Sequence, residues 1–222
     1  MPDLMSENQR TQPTRFDLVD SIYAVIQQAY DLLKAEPVNY PSDPVEAAGL
    51  LSILIFVQAR ETYEGLLKGV EGLEVSKGEV QNRMHTIIFE SECLLLHITD
   101  RIADERLSPA QRARLLDFLM PTTINATVDA LMSHPDPRMV EEFKQAAIEE
   151  LNARSIEYMK YRAVFPPKNR GESLGGTLLY EFAKRIGRLL GTQDPALIIP
   201  LMLGMMGRVM GLGLGEAMKP WA

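Results

Sequence analysis

The chain has 222 residues, of which 46% are hydrophobic, 24% charged and 7% aromatic, with a formal charge of −7 and a pI near 5.1. That apolar share is too high for a disordered chain, and the acidity argues against nucleic acid as a partner. A single cysteine, Cys93, excludes an intramolecular disulfide framework and any Cys-cluster zinc module.

Residues 1–14 are polar and hold two prolines. They lack the charged start and apolar run of a secretory signal, so the expectation is a disordered tail on a cytoplasmic protein. Phe16, Val19, Ile22, Ile26, Ala29 and Leu33 then recur at spacings of three and four, one face of a helix, which Pro37 and Pro41 end. Asp43 and Pro44 read as N-cap and first residue of a helix running to about Lys68. Its nearly continuous apolar stretch Ala47–Val57 has 11 residues, well short of the ~20 that cross a membrane. It is expected to be a core helix.

Ser76 and Glu79 form an S-x-x-E capping box. The helix they open meets no breaker before about Arg106 and is the predicted spine, roughly 45 Å long. Ser108-Pro109-Ala110-Gln111 starts a short helix that Pro121 is expected to interrupt before a second short piece ending near Met132. Asp136-Pro137 opens a helix with Val140, Phe143, Ala147, Leu151 and Tyr158 on one face. The segment 165–172, FPPKNRGE, reads as a linker. Helices at roughly Leu174–Leu190 and Pro195–Met218 follow, the second capped by Asp194.

No stretch alternates with period two, and the loops are short. The predicted fold is therefore all-α, a mostly antiparallel bundle of six to eight helices with one long central helix. Residues 15–166 form its main body. Residues 167–222 form a C-terminal helical pair, packed on the same core or on a partner subunit.

Motifs for phosphate loops, dinucleotide binding, EF-hands, H-E-x-x-H zinc sites and G-x-S-x-G nucleophiles are absent. The helices flanking Pro121 suggest a helix-turn-helix, but the second has no arginine or lysine, which excludes DNA reading.

Two stretches hold functional candidates. Along 87–103, IIFESECLLLHITDRIA, a polar stripe of Glu90, Cys93, His97, Asp100 and Arg101 occupies about 100° of an otherwise mostly apolar helix. Convergence of Glu90, His97 and Asp100 would suit a divalent metal or a general base, with Glu142 and Glu149 as further ligands. The competing reading is structural. In it, Asp100, His97 and Arg101 satisfy one another, Glu90 and His97 face water, and Cys93 is an inert small hydrophobe. His134 falls in a loop.

The second stretch, Ala196–Leu214, carries a single charge, Arg208, and four of the twelve methionines. Gly204, Gly207, Gly211 and Gly215 line one face, at about 1 kcal/mol each against alanine in a helix. Close approach of another backbone would offset that cost. Three readings compete: packing on the chain's own spine, self-association with the methionines as an adaptable apolar face, or membrane contact, for which Pro200, Arg208 and the glycines make a weak insertion signal.

Residues 1–166 carry 16 Lys and Arg against 26 Asp and Glu, a net of −10, whereas residues 167–222 carry 7 against 4, a net of +3. A basic face of Lys184, Arg185 and Arg188, with Glu181 paired to Arg185, belongs to the positive part. The reading that joins these features is a non-enzymatic interaction or homo-oligomerisation module working through its last long helix, with no cofactor. The alternative is a metal- or small-molecule-dependent bundle enzyme built on Glu90, His97 and Asp100.

Overall fold

A computed structural model describes residues 38–70, 75–131, 136–167 and 173–222. The N-terminal tail, the helix expected over Phe16–Leu33, His134 and residues 168–172 of the linker lie outside the described residues. The protein is an all-α multi-helix bundle, without strands among the described residues.

Local chemistry starts most of the helices. In α1, Pro44–Gly69, the Asp43 carboxylate accepts from the Val45 and Glu46 amides, both at 2.9 Å, with proline at the first helical position. The face Ala48, Leu51, Ile55, Ala59, Tyr63 and Leu66 is buried. In α2, Lys77–Asn82, the capping box is complete: the Glu79 amide donates to Ser76 Oγ, and the Ser76 amide to the Glu79 carboxylate. Ser108 and Gln111 build the corresponding S-x-x-Q box before α4, Pro109–Leu131. Asp136 caps α5, Pro137–Tyr158, and Asp194 caps α7, Pro195–Gly211.

The expected spine is not one helix. Arg83 leaves the helical region at φ −109°, ψ 14°, separating α2 from α3, Met84–Arg106. Gln81, Asn82 and Arg83 are all exposed, so no apolar contact holds a straight helix across them, and asparagine is among the poorer helix formers. The longest helix among the described residues is α1, with 26 residues. The most enclosed is α3, where 87–99 is buried almost all round. The two share the centre of the bundle, and α4 packs against both.

Pro121 also behaves differently from expectation: α4 runs through it. Its ring stands on the exposed face, and so does Asp117, whose carbonyl loses its helical donor to the proline. On the adjoining turns the Thr122 and Thr123 hydroxyls donate to the carbonyls of Phe118 and Leu119 at 2.7 and 2.9 Å.

At the C-terminus, α6 spans Leu178–Leu189 rather than starting at Leu174, because Gly176 turns the chain at φ +83°. Its first amides, Leu178 and Leu179, donate to the carbonyls of Ala163 and Val164, which ties the helix to the end of the α5 segment. The helix expected to reach Met218 breaks at Gly213, φ +57°, and continues as the short α8, Leu214–Ala217, and a 3-10 turn, Lys219–Trp221. Gly213 sits against Val38, and Tyr40 donates to the Leu212 carbonyl at 2.6 Å, so the start of the described chain braces this break. Leu178, Phe182, Ile186, Met202, Met205, Met206 and Trp221 join the same continuous core as α1 and α3.

Candidate functional site

The polar stripe of α3 is neither solvated nor self-satisfied. It is met from the side by α4, α5 and α6. Glu90, 4% exposed, receives Arg185 Nε and Nη2 on its two oxygens, each at 2.8 Å, in a fork from α6. Arg154 of α5 brings its Nε within 3.2 Å of the same carboxylate as an ion pair without a hydrogen bond. Each arginine also reaches Glu157, through Nη1 at 3.0 Å from Arg154 and 3.2 Å from Arg185, and Arg154 Nη2 binds Glu150. Burial works against the Arg185 charge, but the Glu90 hydrogen bonds and the charges of Glu90 and Glu157 outweigh it and raise its pKa above the ordinary guanidinium value.

One turn further on, Cys93 is buried, and burial together with the charges of Glu90 and Glu92 pushes its thiol well above the usual range. It is the protonated, inert thiol of the structural reading. His97, 5% exposed, places Nδ1 3.4 Å from Ser155 Oγ and packs its ring on Tyr158, with centroids 5.5 Å apart. Its Nε2 is buried without a hydrogen-bond partner. Burial, helped by the charge of Arg101, lowers its pKa to about 4, so the imidazole is neutral at pH 7.

Asp100 turns to α4 instead of to His97. Arg112 Nε and Nη2 fork onto its oxygens at 2.6 and 2.8 Å, and Arg112 Nη1 reaches Asp104. Arg101 donates to the backbone carbonyls of Tyr161 and Arg162 at 2.7 and 2.6 Å. Glu90, His97 and Asp100 are therefore divided among three sets of partners and do not converge. Among the described residues, no three His, Cys, Asp or Glu side chains are placed to share a metal ion. Glu142 pairs with Arg138, and Glu149 accepts from Gln145, both on the outer face of α5. The expected self-contained network of Asp100, His97 and Arg101 does not form either.

Two hollows flank the stripe. The larger, about 420 Å³, lies among α3, α4, α5 and α6, and Glu90, Arg154, Arg185 and Glu150 form its charged side. The smaller, about 190 Å³, reaches Cys93, His97, Asp100, Asn152 and Ser155 between α3, α4 and α5.

Sequence reasoning passed over Arg154 and Glu157, whose i, i+3 spacing on α5 looks like an ordinary surface pair. It also passed over Glu92, 2% exposed, whose Oε1 lies 2.5 Å from Thr127 Oγ1. Thr127 Oγ1 is also 3.0 Å from the Thr123 carbonyl. Burial raises the Glu92 pKa to about 8 against the lowering effect of the hydrogen bond that Thr127 donates.

The expected basic face is dispersed. Lys184 pairs with Glu181 at 3.1 Å and stands over the Tyr180 ring, Arg185 is turned into the core, and Arg188 is exposed. The expected Glu181–Arg185 pair gives way to Glu181–Lys184.

In α7, the buried residues are Leu197, Ile198, Leu201, Met202, Met205, Met206 and Val209, packed on α6 and α1. The glycines occupy the other side. Gly204 and Gly207 are half-buried and Gly211 is exposed. Among the described residues, a Cβ at Gly204 would meet only the Arg208 guanidinium, at 3.7 Å, and one at Gly211 would meet nothing within 4 Å. The expected packing of the seam against the chain's own spine is thus not what holds α7. Gly215 lies beyond the break at Gly213 and faces Arg106. Arg208 is folded back, with Nη2 on the Glu61 carbonyl at 2.7 Å and Nη1 on the Gly204 carbonyl at 3.2 Å. Between α1 and α7 runs a groove of about 380 Å³ floored by Gly65, Gly69, Pro200 and Gly204. The stretch Pro195–Trp221 is long and apolar enough to cross a membrane, with a mean hydropathy of 1.8, and 50% of its most apolar window is buried inside the chain.

Comparison of the chain with protein-family models, with curated proteins and with solved structures gives no match.

Proposed function

We propose that the protein is a non-enzymatic interaction module of the cytoplasm that self-associates through the glycine side of α7 and the adjoining α1–α7 groove. The supporting observation is the division of α7 into two apolar faces. One is filled by the core, and the other offers Gly204, Gly207 and Gly211, with no backbone of another described segment against Gly204 or Gly211. A helix that accepts the entropic cost of glycine, about 1 kcal/mol per residue, gains most from a partner backbone close to that face.

The partner in this reading is a second copy. The same glycine side on each copy forms a self-complementary two-fold contact. The one charge on the helix, Arg208, is already turned onto carbonyls of its own chain.

Removing residues 193–222 is a poor test, because Met202, Met205, Met206 and Trp221 are part of the core. Gly211→Leu and Gly204→Leu fit the space each glycine leaves and remove the close approach. The expected result is a parent that sediments as a dimer and variants that sediment as folded monomers. A parent that stays monomeric at working concentrations overturns the reading.

A further inference from the structure

We propose that the cavity among α3, α4, α5 and α6 is a binding site for a small molecule with an apolar body and a protonated amine head. Its volume, about 420 Å³, falls within the roughly 300–1,000 Å³ of small-molecule sites. Phe89, Val128, Phe143 and Leu189 make one side apolar, and Glu90, Glu150, Arg154 and Arg185 make the other charged. The space exists because α6 packs chiefly on α7, and Arg185 spans the gap to α3 and α5.

The charge count selects the head group. Two guanidiniums share one network with three carboxylates, Glu90, Glu150 and Glu157, of which Glu90 and Glu150 line the cavity. A ligand carboxylate would add to the one excess negative charge of that network. An ammonium group would neutralise that excess beside Glu150, whose side chain is 41% exposed and lines the cavity. Phe89 and Phe143 supply aromatic faces that attract a cation as well as an apolar body. Nor does folding stability account for this arrangement. Buried ion pairs often contribute no more than apolar residues of similar volume, so a five-membered charged network beside an open apolar space is a poor purely structural device.

The test is calorimetric titration of the full chain at pH 7 with three matched probes: 1-naphthylmethylamine, 1-naphthalenemethanol and 1-naphthoate. The amine is expected to bind about tenfold more tightly than the alcohol, with the carboxylate weakest. Glu150→Gln should bring the amine to the affinity of the alcohol and leave the alcohol unchanged. Val128→Trp and Leu189→Trp fill the space from different helices, and whichever of them keeps the parent's circular dichroism should lose binding of all three. The proposal is overturned if no probe binds, if the carboxylate matches or exceeds the amine, or if Glu150→Gln leaves the preference intact. Binding that survives in a folded cavity-filled variant also overturns it.

Discussion

Glu92 and His97 stand five residues apart on α3, and burial makes both neutral at pH 7, one as a held acid and the other as an unprotonated base. Their signs are opposite. Glu92 has a folded pKa of about 8 against an ordinary 4.5, so the folded state keeps a proton that the unfolded chain loses. Its contribution is fully present below pH 4.5 and declines as pH rises towards 8. His97 has a folded pKa of about 4 against 6.5, so the unfolded chain gains a proton first on acidification. Its contribution is present above pH 6.5 and declines as pH falls towards 4. Urea midpoints across pH separate the two. From pH 6.5 to 8, the wild type should lose up to about 1 kcal/mol per pH unit relative to Glu92→Gln. From pH 6.5 down to 4, it should lose stability relative to His97→Leu. Parallel profiles would place both groups in solvent. Gly187 makes a steric prediction: an added Cβ would lie 2.9 Å from the Thr192 carbonyl, which is backbone and slow to yield. Gly187→Ala should therefore destabilise by about 1–3 kcal/mol, despite alanine being the better helix former.

At the scale of elements, what was legible in the sequence was what is local. Asp43 with Pro44, Ser76 with Glu79, Ser108 with Gln111, Asp136 with Pro137 and Asp194 with Pro195 each act within three residues, and each starts its helix where the pattern places it. The breaks were less legible. Pro121 is a strong breaker on paper, but its exposed position lets α4 continue, while Arg83 ends α2 with neither proline nor glycine to mark it. The stripe on α3 was visible as a stripe. Its partners were not, since Arg185 lies 95 residues from Glu90 and Ser155 lies 58 from His97, and any cation on a neighbouring helix would have served equally well on paper. The pairing gives a direct prediction. Arg185→Leu takes both hydrogen bonds of the fork from a carboxylate that is 4% exposed, leaving it Arg154 alone, and should cost about 3 kcal/mol. The double variant Glu90→Leu with Arg185→Leu should cost clearly less than the sum of the two single changes. Additive losses in chemical denaturation would show that the fork contributes no coupling.

For the molecule as a whole, one core extends from α1 to Trp221, and its apolar C-terminal helix is only half absorbed by it. The acidic average of −7 conceals a −10 body and a +3 C-terminal part, and the glycines that cost helix stability stand on the side of α7 that the other described residues leave open. Self-association through that side would cover it. Sedimentation equilibrium on the full chain and on Gly211→Leu tests it most directly. The account predicts a mass of twice 24.9 kDa for the parent and of 24.9 kDa for the variant, with the variant melting no lower than the isolated parent fold because leucine is the better helix former. A parent at 24.9 kDa across the working concentration range, or a variant that still sediments as a dimer, would contradict it.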